Sequence, residues 1–249
     1  MAKGIVISLY DFTGEALKPW ALAGYTCYAF DIQHDGWKVE GFGKNCGGSI
    51  HYRNADLYDF NTHKDIFMEF NGCKVVFGMA FPVCTDMAVS GAAHFKRKAE
   101  LDPAFQTKAV VQAVLCADLF EDLGVPYFIE NPVSVLATMW RKPDYYFHPW
   151  QYGGYIPDDE AYHPRWPEYI APYDGYPKKT CLWTGGGFKM PSQRHAYIPH
   201  GGYSKQHLKL GGKSQRTKDI RSATPRGFAT AVYEFNSQPV EEMCYGYRG

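Results

Sequence analysis

Short apolar runs alternate with longer amphipathic stretches through the first half of the chain, a pattern that predicts strands followed by helices. Residues 4–10 form an apolar strand, and residues 25–30 form a second that closes at Asp31. Between them, residues 14–22 place Leu17, Trp20 and Ala21 at helical spacing, with Pro19 calling for a kink or a short helix. Residues 41–48 are polar and Gly-rich and read as a surface loop. A third strand at 49–52 ends near Asp56, a helix follows at 64–70, and a fourth strand at 74–79. Asp102-Pro103 reads as a helix start, the acid as N-cap and Pro in the first helical position. That helix runs to about Leu123 with Ala109, Val110, Ala113, Val114, Ala117 and Phe120 along one face, and Gly124 stops it. Residues 125–129 are a further buried strand. Such alternation predicts an α/β fold built on a doubly wound, mostly parallel sheet.

Beyond residue 140 the period is lost. Residues 145–176 are dense in aromatics, Pro and Gly. Tyr145, Tyr146, Phe147, Trp150, Tyr152 and Tyr155 could stack on bases, although buried packing is the commoner fate of such a cluster. Residues 179–183 read as one more strand, 189–222 are loop-rich and basic, and 224–235 form a closing helix with Phe228, Val232 and Phe235 on one face. The expected layout is a catalytic core over 1–180, a small loop-rich substrate segment over 181–222, and a closing helix and tail over 223–249.

Composition changes this picture in two respects. At 249 residues, 45% hydrophobic and 21% charged, the chain can bury the core of one large α/β domain. Lys+Arg and Asp+Glu balance at 26 each, so only local charge can point to a polyanion. It does so over 205–226, where Lys205, Lys209, Lys213, Arg216, Lys218, Arg221 and Arg226 face the single acid Asp219. His94-Phe95-Lys96-Arg97-Lys98 offers a second basic run, readable as phosphate contacts or as a solvated helix start. The seven cysteines (27, 46, 73, 84, 116, 181 and 244) contain no CxxC pair, which disfavours a disulfide framework and a structural zinc site. The nine histidines show no HxH or HExxH spacing, so no metal is expected. No leader peptide and no membrane-length apolar run is visible, so a cytoplasmic protein is expected.

Two stretches carry candidate chemistry. Phe81-Pro82-Val83-Cys84-Thr85-Asp86 and Phe128-Ile129-Glu130-Asn131-Pro132 each bring a reactive side chain to the end of an apolar strand. In an open parallel sheet that edge is where ligands bind. Cys84 and Glu130 lie 46 positions apart, room for a loop, the long helix and a return strand. One such βαβ crossover sets two strand ends side by side. A lone Pro-x-Cys is ordinarily a buried structural cysteine; with Glu-Asn on the next strand it points to covalent catalysis on a base-like substrate. A loop at a helix N-terminus would lower the Cys84 pKa. Asp11-Phe12-Thr13-Gly14 lacks GxGxxG, which suits a nucleoside cofactor without a pyrophosphate, and Asp31 fits a ribose-binding acid.

These motifs, in this order, resemble the S-adenosylmethionine-dependent DNA cytosine-5 methyltransferases, in their compact phage-type form. Asp11-Phe12-Thr13-Gly14 resembles the family's cofactor loop, Asp31 its ribose acid and Asp56 its adenine-contacting acid. Phe81-Pro82-Val83-Cys84 resembles the Pro-Pro-Cys nucleophile loop, with Pro82 beside the cofactor, and Glu130-Asn131-Pro132 resembles Glu-Asn-Val. Lys178 and Lys179 fall where a basic element helps hold the target base, Lys179 being taken as the catalytic one. Arg221-Ser222-Ala223-Thr224-Pro225-Arg226-Gly227 resembles the motif before the last helix. The resemblance implies a class I methyltransferase fold, S-adenosylmethionine as cofactor and a cytosine flipped out of DNA. Cys84 would be the nucleophile and Glu130 its proton partner, with Lys96, Arg97, Lys209, Lys213 and Arg216 touching nucleic acid. Val83 and Pro132 depart from the pattern. Only 41 residues separate Thr180 from Ser222, too few for a large recognition domain, so short or relaxed sequence preference is expected. Two alternatives stay open. One is pyrimidine modification of RNA, a nucleotide or DNA with a modified sulfonium donor; the other is an inert methyltransferase-like module that binds nucleic acid.

Overall fold

Apolar residues on both faces of short strands require cover on both sides, and the chain supplies it with helices. The computed structural model describes residues 3–42, 47–196, 206, 209–211 and 214–237. Strand β1 (Ile5–Leu9) leads through a 3₁₀ turn (Glu15–Leu17) and α1 (Lys18–Leu22) to β2 (Thr26–Asp31). Next come β3 (Trp37–Phe42), β4 (Gly48–Asn54), α2 (Phe60–Phe70) and β5 (Val75–Ala80). Helices α3 (Phe95–Leu101) and α4 (Phe105–Asp122) precede β6 (Tyr127–Pro132), α5 (Leu136–Met139), β7 (Tyr145–Phe147) and β8 (Thr180–Gly185). Helices α6 (Gln215–Ser222) and α7 (Arg226–Asn236) close the described chain.

These strands form one sheet in the order β3-β4-β2-β1-β5-β6-β8-β7. The run from β4 to β6 is parallel, β3 and β8 are antiparallel to their neighbours, and β7 is antiparallel to β8. The expected α/β class and mostly parallel sheet are therefore present. Strand alternation sorts the core into two layers. Ile7, Leu9, Phe30, Ile129 and Trp183 pack with Ala113, Cys116 and Phe120 of α4 on one face. Val6, Cys27, Phe77, Phe128 and Leu182 pack with Trp20 of α1 and Phe228 of α7 on the other. Gly78 lets α4 approach β5, since a Cβ there would lie 2.3 Å from Phe120 Cδ1. Successive crossovers leave β1 in opposite directions, toward β2 and toward β5. This makes the β1/β5 edge the switch point at which ligands bind in such sheets.

Two expectations are corrected. Residues 41–48 are not simply a loop: Gly41 and Phe42 end strand β3, and Gly48 begins β4. Positions 43–46, with Cys46, lie outside the described residues. Strand β3 pairs only with β4, so it needs no apolar run, and Trp37 and Val39 stand 72% and 52% exposed. The helix expected from Asp102 is two helices. Asp102 is extended at φ −146° and its carboxylate accepts from Ala104 N at 3.0 Å, a turn that separates α3 from α4. Ala104, not Asp102, is the N-cap of α4. The aromatic cluster divides: Phe147, Tyr152 and Tyr155 are buried, while Tyr145 and Tyr146 are exposed.

A small satellite core joins two distant stretches, Ile170 and Tyr176 packing with Ile220 and Ala223. Within it Tyr173 and Asp174 both take left-handed backbone conformations, φ 54° and 49°. The turn aims the buried Asp174 carboxylate at the N-terminus of α7, where it accepts from Gly227 N at 3.1 Å. Burial pushes this carboxyl up to about 6, against the pull of the Gly227 N–H and the Arg226 charge. A raised acid pKa means that folding favours the protonated form. The contribution of Asp174 to stability is therefore complete below the unfolded value near 4 and is lost as pH rises through about 6. Asp174→Asn keeps an acceptor for Gly227 and tolerates a left-handed backbone. It should stabilise the protein by about 1–3 kcal/mol at pH 8 and by much less at pH 4. Thermal melts showing equal or opposite effects at the two pH values would contradict this.

Candidate active site

The C-terminal ends of the parallel strands build an open cleft lined by Tyr10, Asp31, Ile32, Gln33, Ala55, Leu57, Tyr58 and Val83. Its walls thus come from the ends of β1 and β2, the turn after β4 and the loop after β5. Tyr10, at φ 57°, turns the chain out of β1 and shares its hydroxyl with Leu57 O at 3.0 Å and Gln112 Oε1 at 2.9 Å. Asp31 is buried, and its Oδ1 accepts from both Gln33 N (2.8 Å) and Gln33 Nε2 (3.2 Å). An apolar and aromatic slot with one acid at its end suits a nucleoside: a purine for the slot, vicinal hydroxyls for the carboxylate. No basic cradle lines the cleft. The residues present therefore fit an adenosyl cofactor.

The preceding loop is stapled internally. Asp11 is buried and accepts from Ser8 Oγ (2.8 Å) and Gly14 N (2.7 Å), so its carboxylate shapes the loop. Burial raises its pKa, opposed by the Ser8 and Gly14 hydrogen bonds. Thr13 Oγ1 accepts from Glu15 N at 3.3 Å. Gly14 sits at φ 67°, and any Cβ there would lie 2.6 Å from the Tyr52 hydroxyl. Phe12 is exposed and stacks on His34. Asp56 is exposed on the rim, where its carboxylate accepts from Tyr58 N at 3.0 Å.

Strands β5 and β6 are paired neighbours in the register Met79↔Phe128 and Ala80↔Ile129, so the Cys84 loop emerges beside Glu130. The loop is laced to β6 and the segment after it. Buried Asn131 donates from Nδ2 to Pro82 O at 2.9 Å. Val89 N donates to Val133 O, and Val135 N to Met87 O, each at 3.0 Å. From the other side Lys98 of α3 reaches Thr85 O at 2.9 Å and the Asp86 carboxylate. Cys84 is thus held from both flanks, half-buried and with its carbonyl turned onto Met87 N and Ala88 N.

The electrostatics correct one expectation. No helix starts at Cys84: residues 85–87 make a single turn closed on its carbonyl, and the next 3₁₀ helix begins at Val89. Burial first, then the neighbouring Glu130 charge, push the Cys84 thiol up, while Lys178 pulls it down. Glu130 is itself raised by burial, again with Lys178 opposing. Thiol, carboxyl and ammonium therefore form one coupled group. Neighbouring positions entering a strand face opposite sides. The Lys178 ammonium donates to Arg221 O at 3.1 Å and its charge acts on both Cys84 and Glu130, whereas Lys179 lays its ammonium 4.7 Å from the Tyr146 ring centre. Of the two lysines, Lys178 is the one whose charge acts on Cys84 and Glu130.

The remaining predicted contacts are dispersed. Lys96 and Arg97 are exposed on α3, Lys209 is exposed, and Arg216 is exposed on α6 with its guanidinium 5.7 Å from the Tyr169 ring. Lys213 and Lys205 lie outside the described residues. Sequence reasoning missed Gln33, Tyr10 and Tyr58 in the cleft. Tyr58 follows Asp56 at a strand exit, which is the signal that could have marked it. Among the described residues no group of His, Cys, Asp and Glu could hold a metal ion, and no helix is long and apolar enough to cross a membrane.

No family model and no curated protein matches the chain. Among solved structures the chain is similar to an Escherichia coli protein encoded within a prophage and described as a candidate DNA modification methyltransferase. The two share 12% identity at a TM-score of 0.41, over 74% of this chain and 46% of the other. The chain therefore spans less than half the length of that protein.

Proposed function

We propose that the protein transfers a methyl group from S-adenosylmethionine to C5 of cytosine in DNA, through a covalent bond between Cys84 and C6 of the ring. The observation that carries this reading is the lacing of the Cys84 loop to β6 beside Glu130, at the mouth of a cleft that ends in Asp31. Cytosine C5 is a poor nucleophile until electron density is pushed onto it. The Cys84 thiolate does this by forming an Sγ–C6 bond, while Glu130 delivers a proton to N3 to take up the displaced electron pair. Both pKa values are raised, so the thiol gives up its proton reluctantly and Glu130, as a carboxylate, takes one up more readily than an exposed acid does. Glu130 is thus suited to accept the Sγ proton and pass it to N3. Lys178 steadies the anionic member of the pair at each stage. When bound, S-adenosylmethionine supplies the electrophilic methyl. Loss of the C5 proton to a base then drives the Sγ–C6 bond to break, the thiolate leaves, and N3 returns its proton to Glu130.

Incubation with S-adenosylmethionine bearing a deuterated methyl, followed by nucleoside mass spectrometry of duplex DNA, tests the reading. Labelled 5-methyldeoxycytidine is expected. Label on adenine, label found solely in RNA, or none at all would overturn it.

Within this reading Asp31 holds the cofactor ribose by charge-assisted hydrogen bonds worth about 1.5–3 kcal/mol. Asp31→Ala should weaken S-adenosylhomocysteine binding by roughly ten- to a hundred-fold. Unchanged affinity by calorimetry would remove Asp31 from the site.

A further inference from the structure

Helix α6 reaches the cleft from far along the chain. Gln215, its first residue, donates from Nε2 to Gln33 Oε1 at 2.9 Å and to Asp219 Oδ1 at 2.8 Å. Gln33 in turn donates from its own Nε2 to Asp31 Oδ1 at 3.2 Å. Both ends of this chain are carboxylates, which only accept, so both amide orientations are settled. The donors therefore run outward from the Gln215 amide, on one side to Asp219 and on the other through Gln33 to Asp31. The inner side of α6 is anchored by Thr217 and Ile220, while its outer side exposes Arg216 and Lys218. At its other end the Arg221 carbonyl accepts from Lys178 Nζ at 3.1 Å. One basic helix therefore reaches the carboxylate of the cleft through Gln33 and holds the cation whose charge acts on Cys84 and Glu130.

We infer that Gln215 is a positioning residue that ties helix α6 to Asp31 through Gln33, so that nucleic acid on α6 and an adenosyl cofactor in the cleft each tighten the other. This rests on the methyltransferase reading above. An exposed relay of this kind carries a modest coupling of about five- to ten-fold, and linkage makes the factor equal in both directions. Nucleic acid that orders α6 fixes Gln215, which holds Gln33 and thereby the Asp31 oxygen in their bonded positions.

Calorimetry of S-adenosylhomocysteine binding to the full chain, with and without a cytosine-containing duplex, tests it. The wild type should bind the cofactor product about five-fold or more tightly with duplex present, and Gln215→Met should reduce that factor to below about two. Gln33→Met should do the same, and the double variant should lose no more than either single one, because both residues belong to one relay. An unchanged melting temperature in Gln215→Met shows that coupling and not folding was removed. Wild-type binding without any duplex effect, or coupling retained in Gln215→Met, would overturn the inference alone. A wild type that does not bind S-adenosylhomocysteine would overturn the function reading and this inference with it.

Discussion

Replacing Cys84 with alanine should lower methyl transfer to cytosine by roughly 10⁴-fold or more, the scale on which removal of a covalent nucleophile is felt. Without Sγ no bond to C6 can form, and none of the other groups at the cleft can place electron density on C5. Val83, not Cys84, lines the cleft, so S-adenosylhomocysteine binding should survive the change. Cys84→Ser, which keeps the side chain's shape but offers a far weaker nucleophile, should be nearly as inactive. Substantial turnover by either variant, measured with a tritiated methyl donor, would remove covalent catalysis from the account.

Glu130→Gln should produce effects of opposite sign on two readouts. Turnover should fall by on the order of 10²–10⁴, the range for lost proton transfer. Alkylation of Cys84 by iodoacetamide should instead become faster at a given pH. The Glu130 charge is among the causes that raise the thiol, so its removal lets the thiolate form at lower pH. Lys178→Met should move the alkylation profile the other way, because its ammonium pulls the thiol down. A merely structural role for Glu130 would slow turnover without shifting the profile toward acid. An unshifted profile would separate Glu130 from Cys84.

Legibility in the sequence followed how each element earns its stability. Strands β1, β2, β5 and β6 are buried on both faces, so each had to be a continuous apolar run and each was readable. Strand β3 sits on an edge with one partner, where Trp37, Lys38, Val39 and Glu40 can remain largely in water, and no apolar run announced it. The break between α3 and α4 was hidden because Asp102-Pro103 satisfies the rules for a helix start; its carboxylate instead closes a turn one step earlier. The Cys84–Glu130 pairing was legible because strand order follows from the length of a single crossover. The direction of the Cys84 pKa shift was not, since burial and the charges of Glu130 and Lys178 depend on residues brought together only by folding. The same holds for Gln33 and Gln215, whose hydrogen bond spans the chain from β2 to α6.

The most direct test of the central claim is covalent capture. A duplex carrying 5-fluorocytosine cannot lose fluorine as the proton is lost, so the Sγ–C6 bond persists after the methyl has been added. Wild-type protein with this duplex and S-adenosylmethionine should give a denaturation-resistant complex, and peptide mapping should place the cross-link on Cys84. Methylated duplex without any covalent complex, or a cross-link to another cysteine such as Cys181, would contradict the account.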